Sequence, residues 1–142
     1  MKVRDIIQRP LVTIPSGTTM LDAAKLMVEN NMGLLVICET KDKMKLAGVV
    51  SERDIMKAIA SGKKLSAPID EVSTKQVITV RASSEVAEAA KAMNKNRIRH
   101  VVVVDEQGKL IGVVSMRDLV GERATLTAIL QSNEKEVFIG GD

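Results

Sequence analysis

The fold is decided by the stretch Gly48-Val49-Val50-Ser51-Glu52-Arg53-Asp54, which is repeated 64 residues later as Gly112-Val113-Val114-Ser115-Met116-Arg117-Asp118. A second stretch upstream, residues 22–27, is repeated as residues 88–93, at an offset of 66. The two-residue difference between these offsets falls within the polar loops 39–47 and 105–111, where changes of length are tolerated best. The chain is therefore a tandem duplication, and two similar units can close a pseudo-symmetric cleft between them.

The composition indicates a folded chain with an aliphatic core. Hydrophobic residues make up 45% of the 142 residues, which excludes a disordered chain. There is no Trp or Tyr and only one Phe, so the core is built from Val, Ile, Leu, Met and Ala. Because a unit of about 65 residues is only marginally stable alone, we expect the two copies to share a core.

The charge and cysteine content narrow the class of protein further. The net charge of +3 suits an anionic ligand but is not by itself typical of nucleic-acid binding. Cys38 is the single cysteine, which excludes an internal disulfide and fits a reducing compartment. The chain lacks a signal-peptide pattern, and no apolar run approaches the roughly 18 residues that a membrane span needs. We therefore predict a cytoplasmic protein.

Both copies predict the same order of elements. A short segment (residues 3–8 and 69–74) precedes an extended piece (11–14 and 77–80) and a polar turn. An amphipathic helix follows at residues 20–30 and 85–96, because apolar residues recur there at helical spacing. Thr18 and either Ser83 or Ser84 are its predicted N-caps. Strands follow at 34–38 and 46–50, and at 101–104 and 110–114, before a second helix that starts at Ser51 or Ser115.

This order predicts an α/β (α+β) fold of two β-α-β-β-α repeats, packed with pseudo-two-fold symmetry, with mixed sheets flanked by helices. Residues 1–62 form the predicted first repeat, residues 63–68 a linker without periodicity, and residues 69–120 the second repeat. Residues 121–142 are predicted to form a C-terminal helix and tail, with the helix at 124–131 and a loose end at 138–142.

Two copies of this order, each ending in Gly-Val-Val-Ser-x-Arg-Asp, resemble a tandem pair of cystathionine-β-synthase (CBS) domains, the Bateman module, over residues 1–120. The resemblance implies a regulatory protein and not an enzyme. It implies AMP, ADP or ATP, in some members S-adenosylmethionine, bound in the cleft between repeats, and no obligatory cofactor. It also implies a homodimer. Because few residues follow the repeats, the expected output acts in trans on a separate regulated protein.

The Ser-x-x-Asp spacing suits nucleotide binding. Ser51 starts a helix, where free backbone N–H groups and the helix dipole attract anions. Its hydroxyl can donate to a phosphate or ribose oxygen, and Asp54, one turn further, can accept from ribose hydroxyls. Arg53 can reach phosphate. The same spacing is that of a capping box, in which the two side chains satisfy the helix N-terminus. The two roles are compatible.

In the proteins that this chain resembles, each site takes its Ser and Asp from one repeat and its adenine wall from the other. Carried over, the first site combines Ser115, Arg117 and Asp118 with Thr13, Thr18, Ala23, Met32, Gly33 and Leu34. The second site combines Ser51, Arg53 and Asp54 with Thr79, Ser84, Ala89, Ile98, Arg99 and His100. Because only the second wall carries cations, at Arg99 and His100, we predict that the second site takes the more highly phosphorylated ligand.

Two other functions stay open at this point. A pI of about 9.1 and the cluster Arg97, Arg99 and His100 suit nucleic-acid binding, although the stacking aromatics of single-strand platforms are missing. A dimerisation module with no small-molecule ligand would instead use exposed apolar faces of the long helices. The sequence contains no glycine-rich phosphate loop, no metal-ligand spacing and no acid–base pair, so neither a metal site nor catalysis is predicted.

Overall fold

The computed structural model describes residues 1–7, 11–40 and 45–121. Each half begins with a short 3-10 helix and continues with the predicted elements. The first half contains the 3-10 helix Val3–Ile6, then β1 Thr13–Pro15, α1 Met20–Asn30, β2 Leu34–Cys38, β3 Leu46–Ser51 and α2 Glu52–Ala60. The second contains the 3-10 helix Ile69–Glu71, then β4 Thr79–Arg81, α3 Val86–Asn96, β5 His100–Val104, β6 Leu110–Ser115 and α4 Met116–Val120. The helix predicted at 124–131 and the loose end predicted at 138–142 lie outside the described residues.

Each repeat builds one mixed three-stranded sheet. Strand β2 pairs in parallel with β1 and antiparallel with β3, and β5 pairs in the same way with β4 and β6. The middle strands are mostly buried, which explains their consecutive apolar residues, since a strand covered on both faces does not alternate. The predicted class, two β-α-β-β-α repeats with mixed sheets flanked by helices, is confirmed.

The N-caps of the two long helices are not the predicted residues but lie one or two positions further along the chain. Thr19 caps α1, and its Oγ1 accepts from the Asp22 N–H at 3.1 Å. Thr18 instead donates its hydroxyl to the Pro15 carbonyl at 2.7 Å and closes the preceding turn. Glu85 holds the N-cap position of α3 without a side-chain cap bond, so the predictions of Thr18 and of Ser83 or Ser84 as caps are wrong. Both serines form hydrogen bonds in the preceding turn. The Ser83 hydroxyl donates to the Glu106 carboxylate, and the Ser84 N–H donates to the Arg81 carbonyl.

The short 3-10 segments are exchanged between the repeats. The Val3 N–H donates to the Ser84 carbonyl at 2.8 Å, in the second repeat. The Ile69 N–H donates to the Thr18 carbonyl at 2.7 Å, in the first repeat. Thr74 then forms a two-way antiparallel bridge with Val49 of β3. The segment that precedes the first repeat in sequence therefore packs on the second repeat, and the segment that precedes the second repeat packs on the first.

Three apolar clusters join the two repeats. In the first repeat Ile69, from the exchanged segment, is fully buried among core residues such as Met20 and Leu35. In the second, Val3 occupies the corresponding place beside Met93 and Val101. The third cluster lies between the sheets and contains Val36, Cys38, Val102 and Leu110. The shared core that the small size of each repeat requires is thus present.

Candidate ligand-binding site

Both Ser-x-x-Asp turns lie where an edge strand leads into a helix. Ser51 ends β3 and is the N-cap of α2, and Ser115 holds the same place between β6 and α4. The strand register fixes their neighbours, because Leu34 lies opposite Ser51 and His100 opposite Ser115. The two turns are thus equivalent in backbone and differ in the side chains around them.

Each turn forms a complete capping box. Ser51 Oγ accepts from the Asp54 N–H at 3.2 Å, and Asp54 Oδ2 accepts from the Ser51 N–H at 2.9 Å. The corresponding distances between Ser115 and Asp118 are 3.1 and 2.8 Å. A cap of this kind stabilises a helix by about 1 kcal/mol. The structural role of the motif is therefore confirmed in both copies.

The capping box leaves free the groups that a ligand needs. The Ser51 hydroxyl acts as an acceptor in the cap, so its own proton remains available for donation. Asp54 uses Oδ2, and its Oδ1 accepts no hydrogen bond from any described residue; the same holds for Asp118. Both pairs are half-buried, so they face the surface beside the positive end of a helix. The arrangement can hold a hydroxyl and an anion together.

An arginine accompanies each of these turns. Arg53 and Arg117 are exposed, and neither forms an ion pair with any residue that the structure describes. The guanidinium group presents a planar fork of donors that matches a phosphate group. The arrangement therefore provides a phosphate ligand at each site in addition to the Ser-Asp pair.

The junction beside each turn differs in charge between the repeats. The Glu52 N–H donates to the Gly33 carbonyl at 2.9 Å, and the Met116 N–H donates to the Arg99 carbonyl at 2.7 Å, so these positions correspond. The Glu52 carboxylate lies over Gly33, since a Cβ added to Gly33 would be 2.6 Å from Glu52 Oε1. The junction beside the Ser51 turn is therefore acidic because of Glu52, and the junction beside the Ser115 turn is basic because of Arg99. Glu52 is not among the residues predicted from the sequence, although aligning the two copies pairs it with the neutral Met116.

Two of the predicted wall residues are not at the surface. Ala23 and Ala89 are 0% exposed and belong to the cores of the first and second repeats, and that they contact a ligand stays a prediction. The remaining predicted wall residues are half-buried or exposed: Thr13, Thr18, Met32, Gly33, Leu34, Thr79, Ser84, Ile98, Arg99 and His100. That each wall serves the Ser and Asp of the opposite repeat stays a prediction.

Because Gly48 and Gly112 have no side chain, the exchanged segments can pack closely against them. A Cβ at Gly48 would lie 2.9 Å from the Thr74 carbonyl oxygen, and one at Gly112 would lie 3.1 Å from Ile7 Cγ2. Both glycines stand three residues before the serine of a Ser-x-x-Asp turn. They therefore set how closely the exchanged segment approaches the strand that leads to each turn.

Other chemistry in the described residues is sparse. Burial raises the pKa of the Cys38 thiol, and a hydrogen bond with Thr13 opposes this shift, so the thiol is poorly reactive. The described residues contain no group of three His, Cys, Asp or Glu that could hold a metal ion. Within the same part of the chain, no helix has the length and apolar character needed to cross a bilayer.

A surface cavity of about 490 Å³ lies between the first 3-10 helix and the second repeat. Neither Ser-x-x-Asp turn lines it. The turns are therefore singled out by their chemistry and duplication, and not by an enclosed volume. The cavity is lined by Arg4, Ile7, Ala82, Ser83, Asp105, Glu106 and Ile111.

Comparison with known sequences agrees with this architecture. The profile of the CBS domain matches the chain twice, at residues 3–61 and 69–124. A 17.7 kDa protein of Acidianus ambivalens is 36% identical over 118 residues, which are 83% of this chain and 70% of that protein. The match therefore extends over both copies of the duplicated unit.

Solved structures share the arrangement of the two repeats. The CBS domain protein PAE2072 from Pyrobaculum aerophilum, complexed with AMP, superposes with a TM-score of 0.83 at 36% identity and covers 92% of this chain and 98% of its own. The CBS domain pair of protein MJ0100, in complex with 5'-methylthioadenosine and S-adenosyl-L-methionine, superposes with a TM-score of 0.77 at 30% identity, with coverages of 92% and 98%.

Proposed function

The chain belongs to the CBS domain family, and on that premise we propose that it is a regulatory module that binds adenosine nucleotides. The observation that carries this proposal is the duplicated Ser-x-x-Asp turn at a helix start, where one carboxylate oxygen and the serine hydroxyl proton have no hydrogen-bond partner among the described residues. The bound ligands of the two similar structures, AMP in one and 5'-methylthioadenosine with S-adenosyl-L-methionine in the other, support the ligand class. We propose AMP, ADP or ATP, with S-adenosylmethionine as a further candidate and no obligatory cofactor.

In this proposal the aspartate selects the ribose and the arginine selects the phosphate. Asp54 Oδ1 and Asp118 Oδ1 accept the ribose hydroxyls, because Oδ2 of each is held by the cap. Arg53 and Arg117 meet the phosphate. The half-buried wall residues enclose the adenine base, and this contact needs few polar groups. Each site therefore binds an adenosine ligand without changing the cap that holds the site in place.

We propose further that the two sites prefer ligands of different charge. The wall of the first site contains Gly33, over which the Glu52 carboxylate lies, and the wall of the second contains Arg99 and His100. The Glu52 carboxylate repels a ligand phosphate and the cationic wall attracts one, by an amount that solvent and salt reduce. The second site therefore takes the more highly phosphorylated ligand.

The proposed output is regulatory and acts in trans. A ligand in the cleft shifts the balance between arrangements of the two repeats to the extent that it binds them differently. A separate protein reads that shift, directly or through a homodimer of this chain. No catalytic step is proposed, because the turns carry a helix cap and binding groups without an acid–base pair.

Calorimetric titration of AMP, ADP, ATP and S-adenosylmethionine tests the proposal with Asp54→Asn and Asp118→Asn. Asparagine keeps one oxygen to accept from the serine N–H and loses the second acceptor, so the cap survives while the ribose contact is lost. We expect each variant to lose one site and to keep its melting temperature. No heat from any of these ligands with the wild-type protein would reject the proposal and leave the motif as a pair of helix caps.

Nucleic-acid binding is the second candidate because of one observation. Lys91, Lys95 and Arg97 are exposed and form no ion pair with any residue in the described ranges. A nucleic acid held by these cations would dissociate steeply as salt rises. Such binding, without any nucleotide binding, would favour this candidate over the first.

A further inference from the structure

The cavity of about 490 Å³ lies at the hairpin end of the second sheet, away from the Ser115 turn. Asp105 directly follows β5, whereas Ser115 pairs with His100 at the start of that strand. Ile111 lies four residues before Ser115 on β6, which is about 13 Å in an extended strand. The volume suits a small molecule. We call this space the hairpin cavity, and it is lined by Arg4, Ile7, the turn 82–83, Asp105, Glu106 and Ile111.

The hairpin cavity contains one cation and one carboxylate oxygen that can each take a partner. Arg4 is exposed and forms no ion pair with any residue that the structure describes. Asp105 is half-buried, and its Oδ1 accepts from the Gln107 and Lys109 N–H groups at 2.9 and 2.7 Å. Its Oδ2 accepts no hydrogen bond from the described part of the chain. A ligand can therefore meet a guanidinium group and a carboxylate oxygen in one space.

The other charged residue of the lining is already neutralised. Glu106 accepts from the Ser83 hydroxyl, and its second oxygen lies 3.1 Å from Arg81 Nη1. The remaining charges, on Arg4 and Asp105, are equal and opposite. A polyanion such as a nucleotide and a divalent cation would each meet a charge of their own sign. The balance therefore favours a ligand that carries one positive and one negative group.

The rest of the lining is apolar. Ile7 is half-buried, Ala82 is almost fully buried, and Ile111 is 37% exposed. Apolar surface of this kind is stabilised when an aliphatic group covers it and removes it from water. The ligand that suits both the charges and the walls is therefore a small zwitterion with an aliphatic body.

The first repeat shows that the fold does not require this lining. At the offsets of the duplication, three lining residues of the second repeat, Arg4, Ile7 and Ile111, correspond to Asp70, Ser73 and Ala47. Asp70 Oδ2 accepts from the Gly17 N–H at 2.6 Å, so its charge serves the turn before α1. The same architecture thus forms without the cation and without either isoleucine. These three residues are therefore available for a role other than folding.

We propose that the hairpin cavity binds an aliphatic α-amino acid in its zwitterionic form. The Arg4 guanidinium group binds the α-carboxylate of the ligand, because its planar fork matches a carboxylate. Asp105 Oδ2 accepts from the α-ammonium group, and the aliphatic side chain packs on Ile7 and Ile111. The inference goes beyond the proposed function and does not depend on it, since the cavity shares no residue with either Ser-x-x-Asp turn.

Titration of the isotope-labelled full chain with L-leucine, followed by the amide resonances, tests the proposal. We expect saturable shifts at the lining residues, among them Ser83, Asp105 and Ile111. Isocaproate lacks the ammonium group of leucine and isoamylamine lacks its carboxylate, so each should bind at least about tenfold more weakly. Glycine keeps both charges and lacks the aliphatic body, and it should also bind at least about tenfold more weakly.

Two variants test the roles of the charged groups. Arg4→Gln and Asp105→Asn should each weaken leucine binding by about tenfold to a hundredfold, as the loss of a charged hydrogen bond does. Asparagine keeps one oxygen for the hairpin N–H groups, so both variants should keep the wild-type melting temperature. Lys91→Gln is the matched control, because it removes an exposed cation on α3 that lies outside the cavity. It should bind leucine as the wild type does.

The possible results separate this site from the nucleotide sites. Leucine shifts confined to the Ser51 and Ser115 turns, or no saturable shift up to about 10 mM leucine, would overturn the proposal. Equal affinity for isocaproate and leucine would overturn the amino-acid assignment, and equal weakening by Arg4→Gln and Lys91→Gln would overturn the role of Arg4. Titration with AMP is judged separately: its failure would reject the proposed function and leave the leucine result standing.

Discussion

Replacing Gly48 by alanine tests whether the exchanged segment holds the first repeat in place. Gly48 lies on β3, three residues before Ser51, and faces the backbone of Thr74. The Val49 N–H donates to the Thr74 carbonyl at 2.9 Å, and the Thr74 N–H donates to the Val49 carbonyl at 2.8 Å. A methyl group at Gly48 would lie 2.9 Å from the same carbonyl oxygen. The substitution therefore acts directly on the bridge between segment and strand.

The expected magnitude follows from that distance. Ordinary carbon–oxygen contacts begin at about 3.3 Å, so the Thr74 carbonyl must retreat by about 0.4 Å and stretch both bonds of the bridge. Overpacking of this kind costs about 1–3 kcal/mol. Alanine offsets about 0.5–1 kcal/mol of this by restricting the unfolded chain. We expect a net loss of about 1–2 kcal/mol, which lowers the melting temperature by about 3–6 °C.

Thermal unfolding of Gly48→Ala beside Gly112→Ala provides the assay and its control. The corresponding methyl group at Gly112 would meet Ile7 Cγ2 at 3.1 Å, at the end of a side chain that can turn aside. Both substitutions restrict the unfolded chain alike, so the difference between them isolates the contact in the folded state. Equal melting temperatures for the two variants, or a lower one for Gly112→Ala, would refute the reasoning.

Three further predictions concern charge and reactivity. Glu52→Gln should raise the affinity for AMP or ATP by about threefold to tenfold, since a carboxylate over Gly33 is removed. Met116→Gln, at the corresponding position of the second repeat, is the control. Calorimetry that shows no gain in affinity for Glu52→Gln would contradict the acidic junction. Because burial raises the pKa of Cys38, alkylation should be slow in the native protein and become fast only on unfolding, as mass spectrometry can follow. A hydrogen bond from Lys2 lowers the pKa of Glu85, so this contact stabilises the fold above the ordinary carboxylate pKa and is lost as pH falls through the lowered value. Melting curves of Glu85→Gln should therefore lie below those of the wild type at neutral pH and low salt and converge with them in acid; a gap that persists in acid would speak against this assignment.

The elements of each repeat are readable from the sequence because their signals are local. Periodic apolar residues predict α1 at residues 20–30, as the structure has it, and the continuous apolar run predicts β2 at residues 34–38. The cap of α1 is predicted one residue early, since Thr18 and Thr19 can both accept at a helix start. Only the turn geometry, in which Thr18 donates to Pro15, decides between them.

The exchange of segments and the charge of the junctions are not readable in the same way. Val3 and Ile69 occupy equivalent places in the two copies, so their sequence predicts burial without saying in which repeat. The contact of Glu52 with Gly33 depends on the register of β2 against β3, which brings residues 19 positions apart side by side. For the site, the sequence therefore predicts the Ser-x-x-Asp groups, and tertiary packing decides which of their neighbours reach the surface, as Ala23 and Ala89 show.

The exchange also bears on how a ligand could produce a signal. Each exchanged segment is anchored on one repeat and continues towards the first strand of the other, which carries Thr13 or Thr79 of the predicted sites. A ligand that draws a wall residue towards the opposite Ser-x-x-Asp turn therefore pulls on backbone that is fixed to both repeats. The sheets also share the buried cluster of Val36 and Val102, which resists gradual deformation because protein interiors are close-packed. Ligand binding then shifts the two repeats between two relative positions more readily than it loosens the structure locally. Such a shift would reach the helices that pack on each sheet.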